Sequence, residues 1–148
     1  MKRIILAAIL PFAAFGLACG VGSPGHTLTG TISVPLHGAN PGPAHTGILW
    51  QSGEPCSGRG GYSDMGTGTQ VVVKDGNGSV IATGHPTGGT ATITDTGEEG
   101  TCIFSWNVEG VPDSDFYSVE VSHRGAITYS KADMESNNWT LALALGNP

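Results

Sequence analysis

Side chains suited to chemistry are few in this chain, and their spacing does not assemble them. Its five histidines, His26, His37, His45, His85 and His123, stand singly. No H-x-H or H-E-x-x-H pair puts two imidazoles side by side, so a zinc site would have to come from the fold alone. Gly61-Tyr62-Ser63-Asp64-Met65-Gly66 approaches a nucleophile elbow, but its second glycine is one place late for G-x-S-x-G. The strand-turn-helix setting that exposes such a serine is also missing, so Ser63 reads as a loop residue. Asp75-x-Asn77-x-Ser79 begins like a calcium loop, but no ligand glutamate follows at the required spacing, and the segment lies between two strand-like runs. Glu98-Glu99 and Asp113/Asp115 read as solvated turn residues, although glycoside hydrolysis needs carboxylates to be close only in space. No catalytic residue, cofactor or metal ligand is assigned, and the expectation is a non-enzymatic protein. A cell-wall hydrolase is kept as an alternative that requires the fold to bring carboxylates or histidines into one cleft.

The cysteines say more. There are three, Cys19, Cys56 and Cys102. Met1-Lys2-Arg3 is a short positive segment, and Ile4 to Ala18 is apolar or small, too short to span a membrane and interrupted by Pro11. Residues 1–18 therefore read as a signal peptide. Gly16-Leu17-Ala18-Cys19-Gly20 resembles a bacterial lipobox, with Gly16 where that pattern prefers leucine. Gly16-x-Ala18 equally suits an ordinary signal peptidase. An exported chain seldom leaves an odd thiol free; lipid on Cys19 leaves Cys56 and Cys102 to form a disulfide. Residues 19–26 would be a flexible tether, and residues 27–148 the folded domain.

Composition bounds the partners. The net charge is −6. Lys2 and Arg3 fall in the leader, so the mature chain keeps only Arg59, Lys74, Arg124 and Lys131, scattered along its length. Nothing there neutralises a row of phosphates, so nucleic acid is not an expected partner.

The elements that must position these residues are strands. Twenty-four glycines, nine prolines and 12% charged residues suit short strands and tight turns rather than helices. Alternation predicts strands over 27–34, 70–74, 79–83, 90–94, 102–108, 117–121, 126–130 and 139–145, with a short one over 47–50. Asp75-Gly-Asn-Gly78 is a hairpin turn, residues 36–46 and 52–68 are loops, and Ser130-x-x-Asp133 starts one short helix over 131–136. Cys102, Phe104, Trp106 and Val108 share the core face of one strand, and Tyr117, Val119 and Val121 that of another. The expected fold is all-β: an antiparallel two-sheet sandwich with one short helix after the signal peptide.

The run from Thr69 to Thr83, then Cys102 to Val108, then Phe116-Tyr-Ser-Val-Glu-Val121 resembles prealbumin-type sandwich modules, the carboxypeptidase regulatory-like and collagen-adhesin B-type domains. The tail Ser122 to Ser130 with Trp139-Thr-Leu is similar to uncharacterised secreted proteins and lipoproteins of actinobacteria. The resemblance implies a spacer, adhesin or binding domain without catalytic residues.

The expected function is thus an interaction module in the cell envelope, lipid-anchored through Cys19 to the outer face of the cell membrane, with an envelope protein or glycan as partner. Arg59, Tyr62 and Asp64, on the loop that Cys56 would staple, are the candidate partner-binding residues. Packing of Tyr62 over the disulfide is the competing reading of that side chain. A structural spacer or exclusion protein without a ligand pocket is the second alternative.

Overall fold

The computed structural model describes residues 25–36, 51–94 and 100–146. The leader, Cys19, the expected strand over 47–50 and the Glu98-Glu99 turn lie outside the described residues. Among the described residues no helix is long and apolar enough to cross a membrane.

The domain is mostly β, with one small helix. In chain order the elements are β1 (His26–Pro35), β2 (Pro55–Cys56), β3 (Val71–Asp75), β4 (Val80–Ile93), β5 (Gly100–Val111), β6 (Phe116–Val121), β7 (Ala126–Ser130), α1 (Lys131–Ser136) and β8 (Thr140–Ala144). They form one curled, mixed sheet in the order β7-β6-β3-β4-β5-β1-β8, with β2 paired to β4 beside this path. Period-two alternation puts Leu28, Ile32, Val34, Val71, Val73, Cys102, Phe104, Trp106, Val108, Tyr117, Val119, Leu141 and Leu143 into one core, because alternate side chains of a strand face opposite ways.

Two departures from the sequence reading shape the molecule. The first is β4. Residues 79–83 and 90–94 read as separate strands because Gly84-His-Pro-Thr-Gly-Gly89 looks like a break. They are one strand that changes partner: Val80 to Gly84 pair with β3, and His85 to Ile93 pair with β5. Gly84 permits the hand-over, since a Cβ there would meet the Asn107 carbonyl and come within 2.9 Å of Val108 Cγ2. The register slips between Pro86 and Gly89, and a bulge is where a sheet accommodates a residue without an N–H.

The second is β8, which pairs parallel to β1, Thr29 opposite Thr140 through Ser33 opposite Ala144. The sheet is therefore not antiparallel throughout. Parallel neighbours need a crossover. Here β8 arrives beside β1 from the opposite edge of the sheet, by way of α1. That helix starts as the sequence predicts: the Ser130 hydroxyl accepts from the Asp133 N–H while Asp133 accepts from the Ser130 N–H. Its one buried residue, Met134, plugs the core.

The pairings give the domain two ends. His26, the β5–β6 turn and α1 lie at one, which is where the chain enters β1. Pro35, the β6–β7 turn and Gly146 lie at the other, the far end.

Candidate functional site

Cys56 and Cys102 are joined in a disulfide across 46 residues of sequence. Cys102 is fully buried on β5, so the loop after Cys56 is stapled to the core face. A 3-10 turn, Gly60–Tyr62, follows, and Arg59 precedes it in extended conformation. A loop of this length carries little regular structure to alternate, which is why neither β2 nor the 3-10 turn was legible in the sequence.

Of the three residues expected to meet a partner, the fold engages two at the far end. Arg124, in the β6–β7 turn, donates through Nε to Asp64 Oδ2 at 3.2 Å and through a second nitrogen to Asp64 Oδ1. It also donates to the Gly61 carbonyl at 2.6 Å, and its guanidinium lies 4.8 Å from the centroid of the Tyr62 ring. Arg124, followed by the Ser122 hydroxyl, holds the Asp64 carboxyl below its ordinary value. Tyr62 packs against the core, its hydroxyl against Gly146. Asp64 and Tyr62 thus clasp the stapled loop to the β6–β7 turn. Arg59 is exposed, and its backbone carbonyl accepts from the Tyr62 N–H at 2.9 Å.

Beside the clasp a groove of about 470 Å³ opens over the outer face of β3 and β6. Its lining includes Asp64, Gln70, Val72, Lys74, Val80, Glu120, Ser122 and His123. On the floor the Lys74 ammonium donates to Glu120 Oε2 at 2.7 Å and keeps that carboxyl below its ordinary value. Ser122 takes a left-handed φ of 55° and donates its N–H to the Gln70 carbonyl at 2.9 Å, which turns the chain into the His123-Arg124 corner. The ionic pairs leave the groove near neutrality while amide, hydroxyl, imidazole and carboxylate groups edge it.

The same face continues along β6. Glu120, Ser118 and Phe116 alternate outward, and the Ser118 and Thr128 hydroxyls bond at 2.7 Å. Phe116 is 51% exposed and Val80, on β4, is 58% exposed. The sequence carries a signal for this face. In Phe116-Tyr-Ser-Val-Glu-Val121 the core phase belongs to Tyr117, Val119 and Val121, so Phe116 is an aromatic ring on the polar phase.

A third cluster closes the His26 end. The His26 ring stacks on Trp139 at 3.7 Å with 8° between planes, and Trp139 meets Tyr117 edge-on at 5.3 Å. Asp113 Oδ1 lies 3.0 Å from His26 Nε2 and 2.6 Å from the Lys131 ammonium. Lys131 first, then His26, holds the Asp113 carboxyl below its ordinary value. These contacts pin the start of β1 and read as structural. Among the described residues no three His, Cys, Asp or Glu side chains gather in a way that could hold a metal ion.

No known protein family, curated protein or solved structure matches this chain.

Proposed function

We propose that this chain is an exported lipoprotein, anchored through Cys19 to the outer face of the cell membrane, whose domain binds a glycan of the cell envelope without catalysing a reaction on it. The single observation carrying the binding reading is the groove over β3 and β6 with Phe116 and Val80 exposed on the same face. Hydroxyl-rich, uncharged ligands suit a site whose charges are internally paired and whose rim offers both donors and acceptors. An exposed ring further along the face provides a platform for the C–H face of a sugar. That concave site favours binding over a spacer role.

The fold reading that accompanies this proposal is a two-sheet, prealbumin-like sandwich sharing β4. It rests on the partner change at Gly84 and on the single core cluster. The chain enters at the His26 end, so a tether there would turn the clasp and the mouth of the groove away from the membrane.

Co-sedimentation with purified, insoluble cell-wall glycan tests the binding. Wild type should pellet with the glycan, and Phe116→Ala and Gln70→Ala should each weaken binding about tenfold without lowering thermal stability. Recovery of the full chain in the supernatant, or unchanged binding by both variants, would refute it. Anchoring has its own readout: the mature wild type should exceed the mass calculated for a chain beginning at Cys19 by the acyl chains, and Cys19→Ala should show no acyl mass.

A further inference from the structure

The two ends of the strand order, β7 and β8, carry the open edges of the sheet. α1 runs from the last residue of β7 toward the first of β8, which holds these strands together at the His26 end. Toward the far end they flank a pocket of about 180 Å³ whose apolar lining includes Val119, Val121, Ile127, Leu143 and Leu145, and whose one charged lining residue, Arg124, is already paired with Asp64. Ile127 shows what this opening costs. Its register opposite Val119 puts it on the core face, yet it is 51% exposed.

We propose that this cleft accepts one extended peptide segment of a partner protein, neutral or basic, which pairs with the edge of β7 or β8 and buries one large apolar side chain in the pocket. The edges decide the class of ligand. Among the described residues the outer edges of both strands lack a neighbouring strand, and a polypeptide is the ligand that answers such an edge with periodic N–H and C=O groups. Neither strand carries a guard of its own. Ala126-Ile-Thr-Tyr-Ser130 and Thr140-Leu-Ala-Leu-Ala144 contain no charge and no proline, the devices that usually block strand addition. The pocket limits the anchor to one side chain, since a cavity of about 150 Å³ takes a single benzene ring. Charge argues against a second copy of this chain as the occupant. Each copy is acidic, −6 over the whole sequence and more so once Lys2 and Arg3 leave with the leader, which opposes self-association. A neutral or basic segment meets no such overall repulsion, the Arg124 beside the pocket being already paired with Asp64. Because β7 and β8 run in opposite senses, a strand between them is parallel to one and antiparallel to the other. This site shares no residue with the proposed glycan face, and each can fail without the other.

The probe is a capped octapeptide, alternating threonine and leucine between terminal lysines, titrated calorimetrically into the full chain. A one-to-one complex should form, with new slowly exchanging amides in β7 or β8. N-methylation at all the leucine and threonine nitrogens should weaken binding about tenfold by removing strand hydrogen bonds whichever edge is paired. Ile127→Lys should weaken it about tenfold as a charged guard, while Ile127→Val stays within about threefold. Ile127 is half-exposed, so the lysine can reach water and the fold should persist; Phe116→Ala should bind the peptide as wild type does. Absence of binding, equal binding of the N-methylated peptide, or no loss in a folded Ile127→Lys variant would each overturn the proposal. So would a wild-type dimer in sedimentation that Ile127→Lys makes monomeric, because the occupant would then be a second copy.

Discussion

Replacing Arg124 with Met keeps the length of the side chain and removes the guanidinium that clasps the stapled loop. Three contacts are lost. The ion pair joins side chains that are 26% and 41% exposed, so screening holds its share to about 0.5–1 kcal/mol. The charged hydrogen bond to Gly61 adds about 1 kcal/mol, and the approach to Tyr62 about 0.5 kcal/mol at an exposed site. Together Arg124→Met should cost about 2 kcal/mol, which for a domain of this size lowers Tm by about 8 °C. Asp64→Asn, alone and combined with Arg124→Met, isolates the pair, and the double-mutant cycle should return a coupling of about 1 kcal/mol. The sign with pH follows from the Asp64 carboxyl being held below 3.8 in the fold. Its contribution is complete above that ordinary value and disappears as pH falls through the lower folded value. The coupling measured by urea unfolding should therefore be present at neutral pH and shrink in acid. Strict additivity at neutral pH, or a variant within about 0.5 kcal/mol of wild type, would refute the clasp.

Other perturbations test the fold that holds the site. Gly30→Ala puts a Cβ within 2.5 Å of Trp106 Cζ2 and against the Leu141 carbonyl; thermal unfolding should show a loss of about 2–3 kcal/mol. Replacing Cys56 and Cys102 together with Ala frees a loop spanning 46 residues of sequence and should cost about 4 kcal/mol in chemical unfolding. Stability of the wild type should fall on acidification below about pH 4.5, because Asp64, Asp113, Glu120 and Asp133 all have lowered pKa values in the fold. Each contributes above its ordinary value and loses that contribution as pH drops through its folded one; a flat profile from pH 6 to 3 would contradict these pairings.

Much of the fold was legible where side chains alternate. Cys102 to Val108 and Tyr117 to Val121 declared their core faces because period two leaves little choice of phase. Ser130 and Asp133 located α1 because a capping box is a local interaction. What was not legible depends on partners distant in sequence. No local pattern tells Gly84-His-Pro-Thr-Gly-Gly89 apart from a turn, because its strand identity comes from β5. The parallel seat of β8 beside β1 is likewise a property of the assembled, curled sheet. Arg124 looked like one of a few scattered cations until the fold brought it to Asp64. The groove was legible only in part: Phe116 stood out of phase, but Gln70, Lys74 and Glu120 become one site only through the β3–β6 register.

The glycan-binding face is tested most directly by titrating the isotopically labelled full chain with soluble cell-wall glycan fragments and following backbone and side-chain NMR shifts. Perturbations should concentrate at Gln70, Val72, Lys74, Phe116, Ser118 and Glu120, saturate, and need about tenfold more glycan in Phe116→Ala. Shifts confined to other surfaces, or none at saturating glycan, would contradict a binding site on this face.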